Sequence, residues 1–397
     1  MSIKDKVAIV GMGCTKFGER WDCSLSDLII ESAYEAFEDA NVRPEEIQAV
    51  FFGEGNQPNG GTGATPVADT LKMAGIPMMR NENFCASGHV ALIQAALAIA
   101  SGEYDVVMAI GAEKLKDTGY GGLGVGRGWN PVYEARRTGP GSFAMIASRY
   151  FEKYGMTPEE GKQLIAKISV KNHHNGMLSP KAHFHKELTV EDVMAAPIIA
   201  YPLGLFDCCG NSDGSACAIL TRADIAAKYT DKPIYIKGYG MAVDSTLSQS
   251  RPNFEWTGFD ALKDSSRQAY KMAGITNPRE EIDIAEVHDC FSCTEMIIYE
   301  DFGFSRPGHA KDDIESGFFE RTGGLPVNVD GGLKCFGHPV GASGIRMTYE
   351  IFKQLQGRVD NPQRQIKDCR IGLSHTFGGS PQVSAVLIAG SEMEEKV

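Results

Sequence analysis

Between Val90 and Ala100 the chain reads VALIQAALAIA, and Gln94 is its only polar side chain. At helical spacing such a segment is apolar on every face, so every face has to be covered by other structure. It belongs between layers rather than on a surface. A chain of 397 residues is long enough for about two domains and can supply that cover. Cys85 lies in NENFCASG, just before or within the first turn of the same helix. The unpaired N–H groups and the positive dipole end there favour a thiolate over a thiol. A cysteine taken at random is more often a small core residue, so position alone does not decide its role.

Two internal echoes set the plan around that helix. Residues 33–50 (AYEAFEDANVRPEEIQAV) and 269–287 (AYKMAGITNPREEIDIAEV) share a helix end, a Pro-containing turn, an acidic pair followed by Ile, and a strand. CASGHVAL from Cys85 is answered by GASGIRMT from Gly341. Two echoes in the same order imply two similar halves, 1–228 and 229–397, each alternating strands and helices over a mainly parallel sheet. If each half contributes a helix at the matching position, two sheets enclose a central helical layer. From about 115 to 200 the alternation fails, as in GYGGLGVGRGWNPVYEARR and KNHHNGMLSPKAHFHKE, which reads as an inserted loop lobe. Insertions over a rigid core commonly hold the ligand.

Two further segments supply what a cysteine nucleophile requires. AEVHDCFSC places His288 just past an apolar strand, where the carboxyl edge of a sheet opens into a crevice. GGLKCFGHPVGASG places His338 in a glycine-rich turn before a helix, and glycines at 331, 332, 337, 341 and 344 permit positive φ and close approach of the backbone. A single histidine is usually structural; two at loop positions, with a cysteine at a helix start, shift the balance toward catalysis. Cys290-x-x-Cys293 without a second pair is weak evidence for a redox or zinc site. GNSDG (210–214) fits a hydrolase elbow but leads into a strand instead of a helix, and GMGCTKFG has Lys16 where a dinucleotide fingerprint needs its third glycine.

These segments, with DGSACAIL and the pair Gly378-Gly379, resemble the thiolase superfamily over essentially the whole chain. HDCF points to the branch of sterol-carrier-protein-type and archaeal-type thiolases. The resemblance implies an α/β fold of five layers, αβαβα, built from two similar halves. It implies Cys85 as the acyl-accepting nucleophile, His338 as the base that activates it, His288 as a holder of the thioester oxygen and Cys290 as the thiol that moves a proton at the α-carbon. Where familiar thiolases carry Cys-x-Gly near the C-terminus, this chain reads GLSHTFGGS, so the shuttle falls to Cys290, with His375 and Gly379 as supporting candidates. The implied reaction is cleavage of a 3-oxoacyl-CoA by coenzyme A, or the reverse condensation, with coenzyme A as co-substrate and no bound cofactor or metal. The implied assembly is a homodimer, and the likeness to benzoylsuccinyl-CoA-type thiolases adds a small zinc-ribbon/OB-fold partner subunit. The rivals are a decarboxylating condensing enzyme of the ketoacyl synthase type and a noncatalytic acyl-CoA or lipid carrier on the same fold.

Charge narrows the partners. With 39 Lys+Arg against 51 Asp+Glu the net charge is −12, so there is no sequence-wide basic footprint for nucleic acid and an anionic ligand needs a local basic pocket. Arg136, Arg137, Lys171, Lys181 and His183 in the lobe are the candidates for holding coenzyme A phosphates. The lobe histidines 173, 174, 183 and 185 are more simply solvated loop residues than metal ligands. Trp129, Tyr133 and Phe143 are the candidates for a bulky or aromatic acyl pocket, or equally for packing of the lobe. Ten cysteines without a secretion signal or a membrane-spanning apolar run lead us to expect a cytoplasmic protein with reduced thiols.

Overall fold

The computed structural model describes residues 2–55, 63–118, 138–245 and 247–394. The first half runs β1 (Val7–Cys14), α1 (Leu25–Ala40), β2 (Ala49–Gly53), α2 (Thr65–Leu71), β3 (Met78–Asn81), α3 (Ser87–Ala100) and β4 (Val106–Glu113). It continues through α4 (Gly139–Lys153), α5 (Pro158–Gly176), α6 (Val190–Ala195), the small hairpin β5 (Ile198–Ala200) and β6 (Leu203–Gly204), and β7 (Gly214–Arg222). The second runs β8 (Ile234–Val243), α7 (Asp260–Ala273), α8 (Pro278–Glu281), β9 (Ile284–Glu286), α9 (Ser292–Asp301), α10 (Ala310–Glu315), α11 (Gly332–Phe336), α12 (Val340–Gln356), β10 (Ile371–Gly378) and β11 (Val383–Gly390).

Strand order in the large sheet is β3-β2-β4-β7-β1-β8-β11-β10-β9. Read outward from the β1/β8 seam, the two sides repeat. β1 and β8 each pair antiparallel with β7 and β11, which pair antiparallel with β4 and β10, which pair parallel with β2 and β9. The first echo in the sequence is thus α1 to β2 repeated as α7 to β9, and both helices end on a left-handed residue, Asn41 at φ 49° and Gly274 at φ 83°. The expected mainly parallel sheet is corrected: of eight neighbouring pairs only β3/β2, β2/β4 and β10/β9 are parallel. The link from β10 to β11 is too short for a crossover, so those strands form a hairpin, and β7 takes the equivalent place after the lobe.

The apolar helix sits where its composition demands. No residue of α3 is exposed, and α3 packs against α12 and against strands of both halves. Every residue of α12 is buried as well, although it carries Arg346, Glu350 and Lys353. The two helices approach closely at glycines: a Cβ on Gly88 would lie 2.4 Å from the carbonyl oxygen of Gly341, so no larger residue fits there. Arg346 is wholly enclosed, ion-paired with Asp330 and, at 3.3 Å, with Glu286, and its guanidinium lies 4.5 Å over the Phe336 ring. Replacing Arg346 by alanine strands two buried carboxylates. We expect a loss of about 3–5 kcal/mol in denaturant unfolding.

The lobe is corrected from loop to helix where it is described. Thr138, Thr157 and Thr189 cap α4, α5 and α6, and Thr157 with Glu160 and Thr189 with Asp192 form capping boxes. Leu164, Ile165 and Ile168 of α5 enter the core cluster that includes Val287, Cys290 and Phe291, so the lobe is seated directly on the second half. Among the described residues no helix is long and apolar enough to cross a membrane.

Candidate active site

Three separate segments meet above the central layer. β3 leads into residues 82–86, where Phe84 adopts φ 51°, a left-handed conformation that costs a bulky residue of order 1–3 kcal/mol. Ser87 holds the turn: its Oγ accepts from the Asn83 N–H at 2.9 Å and donates to the Phe84 carbonyl at 2.6 Å. Cys85 therefore stands one residue before the N-cap of α3, as its sequence position led us to expect. A standing thiolate is not what the surroundings favour. Cys85 keeps part of its surface exposed, but burial first and Glu113 second push its thiol up to about 12. At this site desolvation outweighs the helix end.

His288 follows β9 by two residues and His338 precedes α12 by two. The Cys85 Sγ and one ring nitrogen from each histidine all lie within 4.8 Å of one another. The imidazoles meet edge to face, 4.9 Å between centroids, and Phe377 lies 4.2 Å from His288. Ser343 Oγ donates to the Pro339 carbonyl at 2.9 Å, so its 2.8 Å contact with His338 has to be accepted from Nδ1–H. That fixes the proton on Nδ1 and leaves the Nε2 lone pair open, the tautomer a base needs. Both nitrogens of His288 are buried without a protein partner, as is His338 Nε2. Buried polar atoms of this kind are normally satisfied by protein, water or ligand, so these nitrogens are open to a partner from outside the chain. Burial, reinforced by Arg346, lowers His338 to about 3, and burial with the other histidines holds His288 well below its usual value.

Neutral thiol beside neutral imidazole has a kinetic signature. The thiolate forms by proton transfer as attack occurs, and free thiolate is scarce at ordinary pH. Alkylation of Cys85 by iodoacetamide is therefore expected to climb about tenfold per pH unit between about pH 6 and 9, without the low-pH plateau of a preformed ion pair.

Cys290 is buried beside this group. Its thiol is pushed well up by burial, then by Cys209 and Cys85, and the Cys209 N–H donates to the Cys290 carbonyl at 2.9 Å. Cys293 points elsewhere, its Sγ 3.6 Å from the Phe143 carbonyl oxygen, so the C-x-x-C spacing does not make a pair aimed at one place. His375 is not brought to Cys85: its Nε2 meets Ser384 Oγ at 3.2 Å and its ring packs on Phe302. Of the glycine pair it is Gly378 that abuts the nucleophile turn, a Cβ there falling 2.6 Å from Phe84 Cβ and 3.2 Å from the Cys85 nitrogen. Gly379 instead makes the turn toward Gln382 at φ 69°. Gly378→Ala has to displace that turn, and a shift of order 1 Å lowers kcat by about 10²-fold; steady-state rates against thermal melting separate this from unfolding.

Two of the proposed phosphate-holding cations are corrected to scaffold positions. Lys171 is buried, 2.8 Å from Glu295 and 2.6 Å from the Val327 carbonyl oxygen. Lys181 is 2.6 Å from Glu35 and bonds the Cys14 carbonyl. His183 Nδ1 contacts Ser212 Oγ at 2.7 Å and lines a cavity of about 390 Å³ with Lys16, Glu19 and Arg20. Arg136, Arg137, Trp129 and Tyr133 lie outside the described residues. Phe143 is buried, stacked 4.7 Å from Phe291 and 5.8 Å from Phe377. His173 and His185 bond backbone carbonyls and His174 meets Glu187, so they share no ligand.

Sequence reasoning missed several supports of the site. Asp289, next to His288, accepts from the Leu333 and Lys334 N–H groups at 2.6 and 3.2 Å and so ties the HDC turn to the segment carrying His338. Glu113 accepts from Gly55 N–H at 2.6 Å and Gly341 N–H at 3.1 Å, joining the end of β4 to the start of α12. His89, one helical turn after Cys85, contacts Thr376 Oγ1 at 2.8 Å and Ser374 Oγ at 2.9 Å. Its place in the first turn of α3, directly after the Cys85 turn, was the available signal.

Known proteins resemble the chain across the same regions. The thiolase N-terminal domain model matches residues 7–224, and the thiolase C-terminal domain-like model matches residues 240–391. The chain belongs to the thiolase family. It is 38% identical over 392 residues to an acetyl-CoA acetyltransferase of Methanothermobacter thermautotrophicus, covering 96% of this chain and 98% of that one. It is 31% identical to the benzoylsuccinyl-CoA thiolase subunit BbsB of Thauera aromatica, covering 96% of each. Human sterol carrier protein 2 is 30% identical, matching 94% of this chain and 70% of its own length. Among solved structures an Ltp2-ChsH2(DUF35) aldolase superposes with a TM-score of 0.84 over 100% of both chains at 24% identity, a likeness of fold. A monomeric SCP2-thiolase like protein from Mycobacterium smegmatis gives 0.75 over 100% of this chain and 79% of that one, at 16% identity.

Proposed function

We propose that this thiolase transfers acyl groups by a ping-pong route through Cys85, with His338 as base, His288 as the group that holds the developing oxyanion, and Cys290 as the second proton donor and acceptor. The observation that carries the reading is the meeting of Cys85, His288 and His338 from three segments within 4.8 Å, with the inward nitrogens left open. In cleavage, His338 Nε2 takes the Cys85 proton as sulfur attacks the 3-oxo carbonyl of a 3-oxoacyl-CoA. The Cα–Cβ bond breaks, its electrons pass to the acyl-CoA carbanion, and Cys290 delivers the proton. Coenzyme A then removes the acyl group from sulfur. Condensation is the reverse. Donors aimed at the developing charge in a water-poor site are commonly the largest contribution to such a rate.

Relatives named acetyl-CoA acetyltransferase, at 36–38% identity over nearly the whole chain, favour this chemistry over a decarboxylating condensing enzyme or a carrier. His183 beside its cavity, and Arg136, remain our candidates for coenzyme A. A bulky or aromatic acyl group rests on the naming of the Thauera relative, since Phe143 is packed in the core with Phe291 and Phe377. The subunit naming of the Thauera relative and the DUF35-containing structural neighbour support a small partner subunit, and the family supports a homodimer with halves dividing near 228/229. Residence in the cytoplasm belongs to the same reading. The test is loss of a 3-oxoacyl-CoA thioester on adding coenzyme A, assayed with the chain alone and with a copurified small subunit. No turnover in either, with the fold intact, would favour the carrier.

A further inference from the structure

We propose that Cys85, His288 and His338 also form a reversible site for a thiophilic divalent cation of the zinc class, which competes with acyl transfer. Among the described residues this is the only group of three or more Cys, His, Asp or Glu side chains close enough to share an ion. Three donor atoms within 4.8 Å of one another have a point no more than about 2.8 Å from all of them. Tetrahedral zinc takes sulfur at about 2.3 Å and nitrogen at about 2.0–2.1 Å, so rotation of the side chains by a fraction of an ångström closes the shell.

The second observation is the state of the nitrogens. His288 has both buried and unpartnered, and in either neutral tautomer one of them carries a lone pair. His338 Nε2 is buried and unpartnered while its Nδ1–H is anchored on Ser343. A ring held through its far nitrogen with the near lone pair free is the arrangement that orients histidine ligands in metal sites. One sulfur and two imidazoles with no carboxylate in the set select zinc or cadmium and disfavour magnesium and calcium. Binding forms one metal–sulfur and two metal–nitrogen bonds. The Cys85 S–H bond breaks, its proton leaves to solvent, and nothing is oxidised or reduced. Three protein ligands leave a fourth position for water, which makes the ion exchangeable.

The site coincides with the one assigned to acyl transfer, but metal binding does not depend on that assignment and is read without substrate. Chelator-treated protein is titrated with Co²⁺ as the spectroscopic probe, and Zn²⁺ is then added to displace it. We expect one equivalent of Co²⁺ with a sulfur-to-metal charge-transfer band and the visible bands of a four-coordinate ion. The band is lost in Cys85→Ala and His338→Asn and kept in Cys23→Ser. Ser343→Ala, which frees the His338 ring, weakens binding by about 10- to 100-fold. Zn²⁺ protects Cys85 from iodoacetamide, EDTA reverses the protection, and millimolar Mg²⁺ gives none. A band that survives Cys85→Ala, no band in the unaltered protein, or equal protection by Mg²⁺ overturns the proposal, whether or not the protein turns over thioesters.

Discussion

Cys85→Ala lowers thioester turnover by at least about 10⁴-fold while the protein still melts as a single folded species. The size of the loss follows from covalent catalysis: without the nucleophile only binding and oxyanion contacts are left, and groups that act as one unit fail together. Neighbouring sulfur does not replace it. Cys85 raises the thiols of both Cys209 and Cys290, so both lie near it, but Cys290 is enclosed and neither stands at the turn that Phe84 and Ser87 hold open. Stability changes little, because Cys85 lies at the rim of the buried layer and alanine removes one sulfur without uncovering a charge. Activity and melting measured on the same preparation make the distinction.

Cys290→Ala gives a different pattern. Acylation of Cys85 by an acyl-CoA requires only the nucleophile and His338, so that half-reaction survives. The carbon–carbon step needs a proton moved at the α-carbon, and loss of a positioned acid or base costs about 10²–10⁴-fold. Rapid acyl exchange between coenzyme A species with slow cleavage or condensation is the expected split. In an enzyme that generates its carbanion by decarboxylation both steps would survive, and in a carrier neither would exist before the substitution.

Much of this was legible in the residues. VALIQAALAIA required cover on all sides, and α3 has it. The echo of CASGHVAL in GASGIRMT placed a second helix beside the first, although α12 carries charges that no apolar pattern would bury; Arg346 is admitted only because Asp330 and Glu286 meet it there. Cys85, His288 and His338 were recognisable because each follows a strand or starts a helix, where side chains gather at one edge.

What failed to show was whatever depends on partners distant in sequence. The lysines at 171 and 181 read as cations available to phosphate, whereas Glu295 and Glu35 lie against them. Strand direction is carried by how the chain returns, not by composition, so a mainly parallel sheet is expected where β7 and β11 run antiparallel to their neighbours. The helices α4 to α6 were hidden by polar residues such as Asn172, which faces inward to Asp289 and Glu295. The sign of the balance at Cys85 also escaped, since a helix start is visible in sequence and burial is not.

The central claim is that an acyl group rests on one sulfur. Intact-mass measurement after brief exposure to an acyl-CoA, followed by peptide mapping, tests it most directly. The account predicts a single acyl increment on Cys85 that disappears when coenzyme A is added and never forms in Cys85→Ala. Steady turnover with no increment, or an increment on another residue with Cys85 alkylated and activity undiminished, would contradict it.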